Sequence, residues 1–148
     1  MIRFLQVDEN KNIQILKAGE ALTRGAAVTK NYATDAVGKA TATGGIYLVD
    51  VAPNYDGINS VIAPTDGSFE SIASGALVLF VPTYEGERYA TTELTVGALV
   101  QGGYLKAASG KFVAGVTNDV CEWVYGGTYS DPTGKTMYIV ERVAPKTV

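Results

Sequence analysis

The sequence predicts an all-β fold, a single-domain β-sandwich or β-tulip/barrel of about ten short strands, and three observations carry that expectation. Short segments rich in Val, Ile, Thr and Tyr recur along the chain with little sustained helical spacing. Gly, Asn, Asp or Pro bound nearly every segment, and the seventeen glycines are numerous enough to serve most of the turns between them. The 148 residues are 47% hydrophobic and 18% charged, which is too apolar for a disordered chain and long enough to bury a core without staples. One domain over residues 1–148 is the expected organisation.

The elements follow in order. Ile2 to Val7 and Ile13 to Leu16, joined by the polar stretch Asp8 to Asn12, predict an N-terminal hairpin or arm within residues 1–17. Further strands are predicted at Ala26 to Thr29, Lys39 to Ala42, Ile46 to Val51, Leu77 to Pro82, Arg88 to Thr91, Leu99 to Val100, Tyr104 to Ala107, Lys111 to Val116 and Thr136 to Val143. Pro53 to Ser74 mixes turn residues with one brief apolar step, Val61 to Ala63, and reads as a long mid-chain loop. Val120 to Tyr125 fits helical offsets after Asn118 but also alternates, and its β-like flanks favour a strand.

Chemistry is sparse. The chain contains no histidine, so hydrolytic triads, His-ligated zinc sites and Cys–His dyads cannot be assembled from within it, and no enzymatic activity or cofactor is expected. Asp131 to Thr136 reads DPTGKT, but a phosphate-binding loop needs glycine where Tyr129 stands, so the segment is expected to be a turn that opens the last strand. Asn54 to Asn59 reads NYDGIN, which lacks the acids and the bidentate Glu of a calcium loop. Cys121, the single cysteine, has no partner within the chain and is expected to be a small buried hydrophobe. Nine tyrosines and one tryptophan raise a glycan-binding reading, yet Tyr84, Tyr89, Tyr104, Tyr125, Tyr129 and Tyr138 fall in or beside predicted strands, where aromatics pair across sheets.

The formal charge is −3, and Lys11, Lys17, Arg24, Lys30 and Lys39 are scattered singly, so no nucleic-acid partner is expected. The opening MIRFLQVDENKN carries charges where a signal peptide needs an apolar stretch, and no run approaches a membrane span of about 18 apolar residues, so synthesis in the cytosol and no membrane partner are expected.

The segment Tyr84 to Val116, with its Tyr-Ala-Thr-Thr step at residues 89–92, Leu-Thr-x-Gly at 94–97 and a glycine-bounded strand, resembles the C-terminal half of bacteriophage capsid decoration (head cement) proteins. Gly19 to Val28, GEALTRGAAV, is similar to the entry of small head proteins with β-tulip or β-sandwich folds. The resemblance implies a virion protein made in the host cytoplasm and added to the capsid exterior. It further implies a trimer, the major capsid protein as partner, stabilisation of the shell and no catalytic residues. The alternatives are another virion component, such as a head fibre base or tail protein, or a glycan-binding β module. For the capsid contact the sequence points to Ile2, Phe4, Leu5 and Val7, apolar residues at a chain end where a strand can pair with a partner's exposed edge.

Overall fold

Alternation of apolar and polar residues at period two buries one face of a strand, while apolar runs bury both, and the computed structural model, which describes residues 1–8, 11–51 and 70–148, is built from strands of both kinds. In chain order they are β1 (Ile2–Gln6), β2 (Gln14–Ala18), β3 (Leu22–Thr23), β4 (Ala27–Asn31), β5 (Ala36–Lys39), β6 (Tyr47–Val51), β7 (Ser71–Ile72), β8 (Leu77–Val81), β9 (Arg88–Thr91), β10 (Tyr104–Ala108), β11 (Lys111–Ala114), β12 (Val120–Ser130) and β13 (Thr136–Thr147). There is no helix among the described residues. The all-β class is therefore as expected, in the form of a barrel joined to an open sheet.

A six-stranded antiparallel sheet has the order β1-β9-β13-β12-β10-β11, and a five-stranded barrel closes as β2-β5-β4-β6-β8; β3 and β7 form a separate two-stranded ladder. Three barrel strands serve two cores at once. Val28, Val49, Val78 and Phe80 point into the barrel with Ala18 and Val37. Their neighbours Ala27, Leu48 and Val81 point the other way, onto Tyr89, Leu105, Phe112, Trp123 and Val140 of the sheet. The aromatic centre of this second core is interlocked, with Trp123 5.2 Å from Phe112 and 6.2 Å from Tyr89, both tilted.

The expected N-terminal hairpin is corrected. β1 pairs antiparallel with β9, through Ile2↔Thr91 and Phe4↔Tyr89, whereas β2 pairs with β8 and β5, so the first two strands lie in different sheets. Glu87, at the turn before β9, holds both ends of this connection: its carboxylate accepts from the Asp8 amide at 3.0 Å and from Lys11 Nζ at 2.6 Å. Two further expectations shift. Leu99 and Val100 lie in a turn, where the Leu99 amide donates to the Val96 carbonyl and the Gly103 amide to that of Val100. The strand expected at Lys39 to Ala42 is displaced: β5 spans Ala36–Lys39, starting just after Asp35 reverses the chain with a left-handed φ of 54°, and Ala42 makes only an isolated bridge to Ala107. Val120 to Tyr125 is a strand, the first half of β12. Most of the mid-chain loop, including NYDGIN and the apolar step at Val61, lies outside the described residues.

Candidate interaction surfaces

The buried charges decide which groups are free to act on anything else. Glu87 is 5% exposed and accepts four hydrogen bonds: from the amides of Asp8 and Tyr84, from Lys11 and from the Tyr89 hydroxyl at 2.6 Å. Burial disfavours its ionised form, but hydrogen bonds from Lys11, Tyr89 and the two amides outweigh that and hold the carboxyl below its ordinary range. Burial together with the Glu87 charge pushes the Tyr89 phenol far up. Lys11 also donates to the Pro82 carbonyl and lies 4.5 Å from the centre of the Tyr84 ring.

Two other clusters are equally occupied. Asp131 accepts from Arg3 Nε at 2.7 Å, and the bonds from Arg3 and Thr133 hold its carboxyl well below the usual range. Its segment DPTGKT is the turn between β12 and β13, with Gly134 at φ 85°, as the sequence indicated. The Met1 amino group donates to the Arg24 carbonyl at 2.6 Å and the Thr92 hydroxyl at 2.9 Å and pairs with Glu70, while Arg24 pairs with Asp50. Among the described residues no three His, Cys, Asp or Glu side chains converge on a point that could hold a metal. Cys121 is fully buried, in keeping with a core role.

The residues predicted to contact a capsid divide. Ile2 is 2% exposed and belongs to the core between sheet and barrel, Val7 packs against that core, and Leu5 packs against Met1, Ala90 and Met137. Phe4 alone of the four is largely exposed, at 39%, and its ring meets Tyr89 edge-on at 5.4 Å. β1 is nevertheless an edge of the six-stranded sheet, with an irregularity in its pairing between Phe4 and Gln6. Such a bulge on a short strand blunts an edge against further pairing.

A second surface was not singled out by the sequence. On the barrel wall β2 turns Leu16 and Ala18 inward and leaves Ile15 52% exposed, and on β8 the inward Val78 and Phe80 leave Leu77 58% exposed. Ile15 and Leu77 are diagonal neighbours across the β2–β8 ladder and flank one cleft of about 330 Å³ with Thr34 and Asp35. On the other side of β2 the parallel β2–β5 contact consists of Lys17↔Ala36 and Ala18↔Val37, as short as the two-pair β4–β6 contact, and leaves Gln14 to Leu16 without a β5 partner. The pattern Ile13, Ile15 and Leu77 carried a readable strand signal, but which of its residues face water depends on barrel closure.

A third surface lies at the β4–β5 turn. Tyr32 is 79% exposed, more than any other large apolar or aromatic residue described, and Lys30 Nζ sits 5.2 Å from its ring centre. A groove of about 270 Å³ lies at the same turn, lined by Gly19, Glu20, Asn31, Thr34 and Gly38 among others. No protein family, curated protein or solved structure matches the chain.

Proposed function

We propose that this chain is a structural virion protein that binds the outer surface of a bacteriophage head and stabilises the capsid. The observation that carries the reading is the pair Ile15 and Leu77, diagonal neighbours across the β2–β8 ladder that stay in water although the fold has buried cores of its own. Contiguous exposed apolar surface on a stable domain marks an interaction site. The sequence resemblance to decoration proteins over Tyr84 to Val116 supplies the partner, the major capsid protein. Phe4 on the β1 edge is the second contact, and Ile2, Leu5 and Val7 support it from below, since their side chains are engaged in the chain's own cores.

A standard interface of about 1,600 Å² suffices for specific binding, and a trimer that sets three footprints on one shell converts modest single-site affinity into long residence. The negative formal charge keeps such a protein from binding packaged DNA unspecifically. A head fibre base or tail protein would use a similar surface but ignore isolated heads.

The test is co-sedimentation with undecorated heads. Wild-type protein is expected to pellet with the shells and raise the temperature at which they release DNA. The paired change Ile15→Ser and Leu77→Ser is expected to abolish pelleting while keeping the circular-dichroism spectrum. A chain that ignores every head offered, or that binds equally well with both residues changed, overturns the reading or its surface, respectively. Deleting Met1 to Val7 is a poor variant because it removes Ile2 from the core; Phe4→Ser probes the same edge without that damage.

A further inference from the structure

We propose that the cleft at Ile15 and Leu77 is a strand-addition slot, which takes a short extended segment of a partner protein beside β2 and holds it by main-chain hydrogen bonds to Ile15. The inference rests on the reading of Ile15 and Leu77 as a docking face and specifies what that face holds. In a paired strand the backbone groups of successive residues point to opposite edges. The Ala18 amide donates to the Ala76 carbonyl and the Ala18 carbonyl accepts from the Gly75 amide, so the even-numbered residues of β2 bond toward β8. The Gly19 amide donates to the Val37 carbonyl, so the odd-numbered ones bond toward β5. Yet β5 meets β2 only through Lys17↔Ala36 and Ala18↔Val37, since the chain reverses at Asp35. Ile15, two residues before Lys17, therefore turns its N–H and C=O to an edge where no strand lies, and no group among the described residues bonds to them.

The chemistry of the slot selects its occupant. An open donor and acceptor on one strand edge are matched by the main chain of another extended segment, which carries both groups at the same spacing. A helix has already spent its backbone groups internally, and a purely apolar ligand would leave those of Ile15 unpaired. The cleft of about 330 Å³ stands at this edge, between β2 and the tip of the β4–β5 hairpin at Thr34 and Asp35. Its two faces differ. Ile15 and Leu77 make the outer one apolar. Gln14 shares the parity of the inward Leu16 and Ala18, and its Oε1 lies 3.5 Å from Lys30 Nζ, which also pairs with Asp35 at 3.0 Å. The fitting segment alternates accordingly, with β-branched apolar side chains on the face of Ile15 and hydroxyl-bearing ones on the face of Gln14 and Lys30. Main-chain bonds supply the affinity and this alternation the selectivity.

The probe is the end-blocked pentapeptide Thr-Val-Thr-Val-Thr, titrated into ¹⁵N-labelled full-length chain to about 20 mM, since so short a strand binds in the millimolar range. In the free chain the Ile15 amide is expected to exchange with deuterium as fast as an open loop, and the Leu16 amide, paired to β8, far more slowly. The peptide is expected to shift the amides of Ile15, Lys17, Thr34 and Asp35 saturably and to slow exchange at Ile15 about threefold or more. The same peptide N-methylated at its three central residues keeps every side chain but loses its donors, and is expected to bind about tenfold more weakly. A slow Ile15 amide in the free chain, no saturable shift at those four amides, or equal binding of the N-methylated peptide would each overturn the proposal. Competition separates the slot from the capsid reading: the peptide is expected to reduce pelleting of the chain with undecorated heads. A peptide that fills the slot without reducing pelleting supports the slot and refutes its use on heads. Heads that bind nothing refute the capsid reading alone, because the titration decides the slot by itself.

Discussion

Replacing Lys11 by Met removes the cation that ties the β1–β2 connection to the turn before β9. The side chains of Lys11 and Glu87 are 3% and 6% exposed, so the pair is a buried one, and deleting one partner of a buried pair costs about 3–5 kcal/mol. The lower end applies, since Glu87 keeps three donors, the amides of Asp8 and Tyr84 and the Tyr89 hydroxyl. A loss of about 3 kcal/mol lowers the melting temperature by roughly 6–12 °C in a chain of this length. In urea, with a slope of about 2 kcal/mol/M, the midpoint falls by about 1.5 M. Glu87→Gln strands Lys11 with the Pro82 carbonyl, and the double variant is expected to lose less than the sum of the singles. The sign with pH follows from the depressed carboxyl of Glu87. Its contribution is complete above the ordinary value of 4.5 and is lost as pH falls below that through the lower folded value, so the wild-type advantage over Glu87→Gln is full at pH 7 and shrinks in acid. Additive singles, or a loss under about 1 kcal/mol at pH 7 as expected of an exposed pair, would refute the assignment of this cluster as the clasp between sheet and barrel.

Gly25→Ala is expected to cost about 3 kcal/mol or more by urea denaturation, because φ is 87° and a Cβ would stand 2.5 Å from the Met1 carbonyl oxygen, a backbone atom that cannot swing aside. Asp131→Asn breaks the Arg3 pair that anchors β1 and is expected to lower the melting temperature at pH 7 by a few degrees. Since the Asp131 carboxyl is held below its ordinary value of 3.8, that difference should disappear only as the pH falls below that value. Cys121 should resist a disulfide reagent at pH 8 in the native state and react at once in urea, because burial, helped by the nearby Asp119 charge, pushes its thiol up; prompt native reactivity would contradict the core placement.

The strands were legible where alternation was strong and turn residues stood at both ends. Arg88 to Thr91 is found at its expected bounds, and Val120 to Tyr125 resolves to a strand because Cys121, Trp123 and Tyr125 enter the core on one face. Partners were not legible. Period-two alternation says which face of a strand is buried but not which strand lies beside it, and the clasp at Glu87, whose Lys11 partner is 76 residues away in sequence, has no local signature. The two-residue ladder of β3 with β7 is too short to carry a period at all. Among the surfaces, Phe4 was within reach of sequence reasoning, whereas Ile15, Leu77, Tyr32 and Glu20 acquire meaning only once barrel closure decides which side of each strand faces water.

The position of the open surfaces follows from how the two cores share strands. β4, β6 and β8 each bury residues on both faces, inward to the barrel and outward to the sheet, although Leu77 at the start of β8 stays in water. β2 and β5 put their buried residues Ala18 and Val37 into the barrel and pair with each other through two residue pairs. β2 and β5 therefore carry outer faces that neither core claims, and both the cleft at Ile15 and Leu77 and the groove at Gly19 and Gly38 are lined in part by residues on or next to them. A short parallel contact is the weaker kind of strand pairing, so this wall yields more readily to a partner than the antiparallel ladders around it. Binding there adds contacts to the barrel alone, and its occupancy is therefore expected to stabilise the barrel more than the sheet.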